Sequence, residues 1–396
     1  MRVLVLHNRY RQLGGEDRAV DAEIAMLRAH GIDVVSHEAD NESGFVQLAR
    51  HAAWSEPSYH AVERLCRELR PDVAHVHNFW ASLTPAVHAA CHAAGVPTVQ
   101  SLHNYRLFCV NALLLRNGAL CTDCLGHSPW RGVVRRCYNE SAAASAVVAH
   151  MIASNRRRNT WSGVDAFIAP SDHARSLFIR GGIDGERLRV KPNFTDDPGP
   201  ALRPPSACHT IVYAGRLSPE KGLRTLLSAW AAIKNDAGLK LSIIGDGPEA
   251  EYLRRHAGEN VELPGRQSPE AVASAIKNAR AVIAPSICFE TFGNSIVEAY
   301  ACGRPVIASD IGASKELVME GRTGLKFAAG DVSALAQAIR RIGSETALAD
   351  AMGSNARAEY LSRFTPHRNF EMLMSIYEQA MARRSGSQTQ ELVVAR

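Results

Sequence analysis

No run of 18 or more apolar residues occurs in the 396-residue chain, which excludes a helix that crosses a bilayer. The amino-terminal MRVLVLH enters a strand pattern at once and is too short for a signal peptide. The expectation is a protein made and kept in the cytoplasm. Its nine cysteines are odd in number and scattered, which argues against a disulfide framework and fits a reducing compartment. The aromatic interleaving and the motifs of a nucleic-acid reader are missing too, so nucleic acid is not an expected partner.

What is present is an ordinary soluble composition, 46% hydrophobic and 21% charged, in a chain long enough for two domains. The net charge of +5 is local. Between Pro129 and Trp161, Arg131, Arg135, Arg136, Arg156, Arg157 and Arg158 face one acid, Glu140, and the rest of the chain is neutral in sum. The patch reads either as a solvated helix face or as a contact for an anionic membrane surface or a lipid-linked phosphate. Ser141 to Ala153, small and apolar between the arginine clusters, reads either as an alanine-rich helix packed on a sheet or as one lying in a membrane interface. The interfacial alternative would make the protein peripheral on the inner face of the membrane.

The most informative stretch is PSICFETFGNSIVEAYACGRPVIASD, residues 285–310. Ala281 to Ala284 is an apolar run suited to a buried parallel strand, and a Gly-Asn-Ser cap then opens an amphipathic helix. A helix N-terminus at the C-terminal end of a strand is where open α/β sheets bind ligands. The amides of Phe292, Gly293, Asn294 and Ser295 would point at an anion, most naturally a phosphate. Glu290 and Glu298 flank this cradle. A carboxylate beside a phosphate is repelled by it, so neutral hydroxyls are the better targets for both. A phosphate with hydroxyls on either side describes a nucleotide sugar. Arg216 and Lys221, in GRLSPEKG after the strand Thr210 to Ala214, add two fixed cations. They suit the charge that grows on a departing diphosphate, without a divalent metal or an Asp-x-Asp motif being required.

With Glu290 and Glu298 separated by seven residues in FETFGNSIVEAYACGRPVIAS, the chain resembles the retaining glycosyltransferases of family 4 (GT4). The resemblance runs from the glycine pair Gly14 and Gly15 to the last helix. It implies an α/β chain of the GT-B type, two Rossmann-like doubly wound domains facing a cleft, with the C-terminal helix returning to the first domain. It implies hexosyl transfer from a nucleotide diphosphate sugar to a hydroxyl acceptor, with retention and without a required cofactor, in polysaccharide or lipid-linked glycan assembly. On this resemblance Gly14 and Gly15 face the acceptor and the donor phosphates, Gly215 lies in the donor site, Gly265 and Arg266 border the base, Glu290 holds sugar hydroxyls, Glu298 holds the ribose, and His103 lies against the donor sugar. The family commonly follows that histidine with aspartate; here Asn104 stands in its place.

Strands at Val3 to Leu6, Asp33 to Ser36, Val73 to Val76, Pro97 to Ser101 and Ala166 to Ala169 alternate with helical patterns over a first domain of residues 1–195. His75 and His77 leave the third strand and are candidates for acceptor contact, or for satisfied strand-end histidines. From Leu107 to Pro129 the periodicity fails. There Cys121 and Cys124 have the spacing of a zinc knuckle, and with Cys109 and Cys137 they could close a structural zinc site; reduced, unliganded thiols are the alternative. Residues 196–208 form a Pro-rich linker in which Asp196 and Asp197 read as turn chemistry. A nucleotide-sugar domain of residues 209–365 follows, with further strands at Leu241 to Ile244, Val261 to Pro264, Ser309 to Gly312 and Thr323 to Phe327. Residues 366–384 form the returning helix and 385–396 a disordered polar tail.

Rival readings are a glycosidase using the two glutamates, a nucleotide-sugar epimerase, and a non-catalytic protein that either binds a nucleotide sugar or serves as a scaffold. Gly245-Asp-Gly-Pro-Glu-Ala250 imitates part of a dinucleotide fingerprint and raises an oxidoreductase as a fourth.

Overall fold

A computed structural model describes residues 1–9, 14–40, 51–233 and 238–394, with side chains as far as residue 386 in the last helix. The chain divides into two compact units. Unit 1 comprises Met1–Leu114, Thr122–Pro192 and Phe370–Arg396, and unit 2 comprises Leu115–Cys121 and Asn193–Asn369.

In unit 1 the strands are β1 (Arg2–Asn8), β2 (Asp33–Ala39), β3 (Val73–Val76), β4 (Thr98–Ser101), β7 (Ala166–Ala169) and β8 (Leu188–Val190). They form one sheet in the order β2-β1-β3-β4-β7-β8, with every pairing parallel. Three of them, β1, β3 and β7, are largely apolar because helices cover both faces of a parallel sheet, and β4 is buried throughout although only Val99 in it is apolar. Strand β8 was not expected from the sequence; its Leu-Arg-Val is short and charged in the middle. The helix Ala142–Arg157 turns Ala144, Val148, Ala149, Met151 and Ile152 inward, so the interfacial placement of this segment does not hold and the packed alternative does. The short antiparallel pair β5 (Leu115–Arg116) and β6 (Ala119–Leu120) lies in the stretch where periodicity failed.

Unit 2 contains β9 (Thr210–Ala214), β10 (Lys240–Ile244), β11 (Val261–Gly265), β12 (Ala279–Ala284), β13 (Val306–Ser309) and β14 (Gly324–Phe327). The sheet is parallel, in the order β11-β10-β9-β12-β13-β14. This is the doubly wound order whose direction of growth reverses between the first and fourth strands. Strand β13 ends at Ser309, where one was expected to begin. Val306, Ile307 and Ala308 are fully buried, whereas Gly312 has a φ of +57° and starts the helix Gly312–Leu317.

The Pro-rich segment is not a free linker. Arg280 Nη1 donates to Ser206 O at 2.6 Å and Arg304 Nη2 to Arg203 O at 2.7 Å, so two buried guanidinium groups fasten it to unit 2. Asp197 shows the expected turn chemistry, accepting from Gly199 N at 2.8 Å, and also a fork-like pair with Arg357. The last helix runs unbroken from Pro366 to Val394. Residues 385–394 therefore continue it instead of forming a tail, and from Phe370 onward it belongs to unit 1, as a returning helix should.

Candidate donor site

The reversal of strand order in unit 2 leaves the loops after β9 and β12 side by side at the C-terminal edge of the sheet. Glycine makes their contact feasible. Gly222 has a φ of +69°, and a Cβ there would lie 2.0 Å from Pro285 O; Ile287 N donates to Glu220 O at 2.9 Å across the same seam. The loop after β10 stacks behind. A Cβ on Gly245 would lie 1.8 Å from Gly215 O, and one on Gly247 2.4 Å from Leu217 O. The glycines that imitate a dinucleotide fingerprint thus serve backbone contact within the protein, which removes the feature that favoured an oxidoreductase.

On this platform Lys221 Nζ donates to Glu290 Oε1 at 2.6 Å, and Ser286 Oγ donates to the same oxygen at 2.7 Å. Both charged side chains keep about a quarter of their surface exposed, so a ligand can reach them. Burial works against the Lys221 ammonium, but the Glu290 carboxylate outweighs it and holds the pKa above the ordinary lysine range. The cation is fixed at neutral pH. Arg216 leaves β9 exposed, and its carbonyl accepts from Tyr213 Oη at 2.7 Å, which sets the loop's path. Gly293 caps the helix Asn294–Ala301, whose first amides have no intrahelical acceptor. Asn294 Oδ1 accepts from Asn193 Nδ2 at 2.9 Å, and half-buried Glu298 lies one turn into the helix. At the end of β11, Gly265 has a φ of +76° and accepts from Gly245 N at 3.0 Å, with Arg266 exposed beside it. Unit 2 therefore gathers Gly215, Arg216, Lys221, Gly265, Arg266, Glu290, Phe292, Gly293, Asn294, Ser295 and Glu298 on one edge of its sheet. Sequence reasoning missed Ser286 and Asn193, since a lone serine or asparagine in a loop carries no pattern.

In unit 1, Gly14 caps the helix Gly15–Ala29, its amide donating to Asp17 Oδ2 at 2.8 Å. Acceptor contact by His75 does not hold. That residue is fully buried, with Nδ1 2.8 Å from Tyr377 Oη and Nε2 2.9 Å from Ser101 Oγ. His77, 4% exposed, is likewise turned inward, its Nδ1 3.1 Å from Nε2 of half-buried His103. His75 is a satisfied core residue, as the alternative had it; His77 is a core residue too, but its Nε2 lacks a well-aligned partner. The interior also holds Glu23, which pairs with Lys191 at 2.9 Å. Its signal in the sequence was a glutamate within the buried stripe Val20, Ile24, Leu27.

The cysteine tetrad does not form. Among the described residues one group of histidine, cysteine and acidic donors lies within metal-binding reach, Glu23, His75 and His77, and it contains no sulfur. Burial pushes the Cys109 thiol pKa up, and its Sγ donates to Asn111 Oδ1. Nor is the arginine patch uniform. Arg156 is half-buried with Nη1 on His127 O, whereas Arg131, Arg135, Arg136, Arg157 and Arg158 are exposed, Arg158 lying 4.7 Å over the Trp54 ring and Arg135 paired with Asp123. No helix among the described residues is long and apolar enough to cross a membrane.

Family profiles match both units, "Glycosyltransferase Family 4" over residues 14–197 and "Glycosyl transferases group 1" over residues 208–345. The chain belongs to glycosyltransferase family 4. Among relatives, a Mycobacterium tuberculosis glycogen synthase is 28% identical over 313 residues, covering 75% of this chain and 66% of that protein. A Mycobacterium leprae phosphatidyl-myo-inositol mannosyltransferase is 33% identical over 46% of this chain and 49% of its own length. The chain thus matches about half to two thirds of the length of these curated proteins. Among solved structures, Anabaena HepE in complex with UDP superposes with a TM-score of 0.67 at 21% identity, over 96% of this chain and all of that one. Sucrose-phosphate synthase from Thermosynechococcus elongatus does so with a TM-score of 0.67 at 18% identity over the whole of both chains. At these identities the structural likeness establishes the fold, which is GT-B.

Proposed function

We propose that this family 4 member is a retaining hexosyltransferase that moves a sugar from a nucleotide diphosphate donor to a hydroxyl acceptor. The observation that carries the reading is the Lys221–Glu290 pair, held by Ser286 beside the helix N-terminus at the reversal point of the unit 2 sheet. A cation next to unpaired helix amides suits the diphosphate, and the carboxylate it orients suits sugar hydroxyls. As the glycosidic bond breaks, charge accumulates on the departing phosphate oxygen, where Lys221, Arg216 and the amides stabilise it. In this mechanism that oxygen takes the acceptor proton, and no protein nucleophile is needed. Glu298 receives ribose hydroxyls, Gly265 and Arg266 border the base, Gly14 and Gly15 approach the phosphates, and His103 contacts the donor sugar. The named relatives that build glycogen and lipid-linked mannosides make polysaccharide or lipid-linked glycan assembly the proposed setting. A hydrolase would leave Arg216 and Lys221 without a task.

Calorimetric titration with UDP, GDP, ADP and dTDP and their sugar conjugates, in chelator, tests the donor site. One nucleotide binds the wild type, and Glu298→Ala weakens it on the order of 10–100-fold through lost charge-assisted hydrogen bonds. If no nucleotide binds well-folded protein, the scaffold reading replaces this one.

The exposed arginines support a second, separable part of the proposal, contact with an anionic membrane. Trp130 and Val134, 41% and 86% exposed, stand one turn apart among Arg131, Arg135 and Arg136, the combination that an interface attracts. Trp130→Ser with Val134→Ser and Arg136→Ser reduces co-sedimentation with phosphatidylserine vesicles severalfold while leaving nucleotide binding intact. Equal sedimentation of the two proteins returns the patch to solvated surface.

A further inference from the structure

We propose that Glu23 is a positioning residue that acts through His77 to fix the tautomer of His103, so that His103 presents Nδ1 as a hydrogen-bond acceptor. The proposal rests on the reading of His103 as the unit 1 contact for the donor sugar, and deepens it. The charge on Glu23 has a settled sign. Burial alone would raise the Glu23 carboxyl, but Lys191 at 2.9 Å and the neighbouring imidazoles outweigh it and hold the group well below the usual carboxylate range. Glu23 is therefore an acceptor and nothing else.

Its second oxygen, Oε1, lies 3.1 Å from His75 Nδ1 and 3.3 Å from His77 Nε2. Neither Glu23 Oε1 nor His77 Nε2 has a well-aligned hydrogen bond elsewhere among the described residues, and the carboxylate oxygen, which His75 Nδ1 also approaches, is the acceptor that His77 Nε2 faces. A bare nitrogen lone pair facing a carboxylate in a dry site is repulsive, and a buried polar atom without a partner is costly. Nε2 of His77 therefore carries the proton. Burial and the adjacent His75 keep His77 neutral, with its pKa lowered to about 3, so its Nδ1 is left as a lone pair. Nε2 of His103 stands 3.1 Å from that lone pair. The two rings lie 18° apart in plane with centroids 5.4 Å apart, too distant for close stacking and suited to an edge-to-edge hydrogen bond. His103 Nε2 must then be the donor, and His103 is itself kept neutral by burial and by His77. Its proton-free atom is Nδ1, an acceptor for a hydroxyl. His75 cannot set this direction, because Tyr377 and Ser101 are hydroxyls that donate or accept as required.

The same three donors, Glu23, His75 and His77, are close enough to hold a divalent ion. Charge argues against it. Lys191 already neutralises Glu23, and a divalent ion would leave two uncompensated charges in a cluster whose members are at most 5% exposed.

The test is direct. In protein carrying ¹⁵N-labelled histidine, with resonances assigned through His77→Gln and His103→Gln, the wild type shows His103 protonated at Nε2 and bare at Nδ1 near neutral pH. In Glu23→Gln the amide oxygen is claimed by Lys191 and the NH₂ turns to His77, so both rings reverse. The kcat for transfer then falls roughly 10–100-fold while KM for the donor stays within about twofold, as for other groups that orient a ligand through an imidazole. A wild-type His103 protonated at Nδ1 or on both nitrogens, unchanged tautomers in folded Glu23→Gln, or one equivalent of zinc in the purified protein overturns the proposal. Should Glu23→Gln fail to fold, the wild-type spectrum alone decides. Failure of the transferase reading shows separately, as absent nucleotide binding in protein whose histidine tautomers are as stated.

Discussion

Lys221→Ala lowers the rate of sugar transfer about 10²–10³-fold, equivalent to roughly 2.7–4 kcal/mol of transition-state stabilisation, the range found when one preorganised donor is removed from developing negative charge. The expectation follows from where the ammonium sits. It is tied to Glu290 at 2.6 Å yet part-exposed, so it is oriented before a ligand arrives and loses little freedom on binding. On the proposed mechanism its charge gains in value as the diphosphate departs, while Arg216 and the helix amides also hold the ground-state diphosphate. The deficit therefore falls more on kcat than on donor affinity. Lys221→Arg, which keeps the charge, recovers part of the rate but not all, because a planar fork cannot reproduce both the Glu290 contact and a compact point charge. Single-turnover kinetics with saturating donor separate the two effects. A Lys221→Ala protein that turns over at the wild-type rate leaves the diphosphate assignment without support, and a fall confined to donor affinity makes Lys221 a binding group only.

The parts of this site that were legible in the sequence are those whose chemistry restricts residue type. Few residues besides glutamate, lysine and a glycine-capped helix suit hydroxyls, a cation and a phosphate cradle at strand ends, and Glu290, Lys221 and Gly293 do lie on the same edge of the unit 2 sheet. Buried strands were legible for a related reason. Residues 281–284 are apolar without alternation, and Val73–Val76 is broken only by His75, because both faces are covered. What was not legible depends on distant partners. Residues 196–208 have linker composition, yet they are packed because Arg280 and Arg304 reach them from far along the chain. Cys121 and Cys124 have ligand spacing, but spacing cannot show where a sulfur points. His75 is a polar residue in a strand, and only Tyr377, 302 positions away, turns it into a core residue. The tail was misread since polar composition signals exposure, which a helix end shares with a disordered one.

That last helix carries the largest expected stability effect. Arg384 ends the segment the sequence assigned to the returning helix, where a frayed terminus would make any substitution harmless. In the structure it is 6% exposed, with Nη2 donating to Asp165 Oδ2 at 2.7 Å and to Gly163 O at 2.9 Å, while Nη1 meets His92 Nδ1. Asp165 Oδ2 also accepts from Thr98 N at 2.8 Å, so the guanidinium sits over the carboxylate that joins the start of β4 to the start of β7. Removing one member of a buried pair strands the other charge, at a cost of about 3–5 kcal/mol. Arg384→Met therefore lowers the midpoint of thermal unfolding by roughly 10 °C, given about 2–4 °C per kcal/mol for a domain of this size. The double variant Arg384→Met with Asp165→Asn recovers much of the loss, since the amide can still accept from Thr98 N and no unpaired charge remains. The coupling between the two sites is the quantity that a thermal or urea double-mutant cycle measures. If Arg384→Met costs less than about 1 kcal/mol, as for an exposed ion pair, the carboxy-terminal turns are not anchored in unit 1. A large loss that Asp165→Asn leaves unrelieved assigns the effect to packing of the arginine stem, not to its charge.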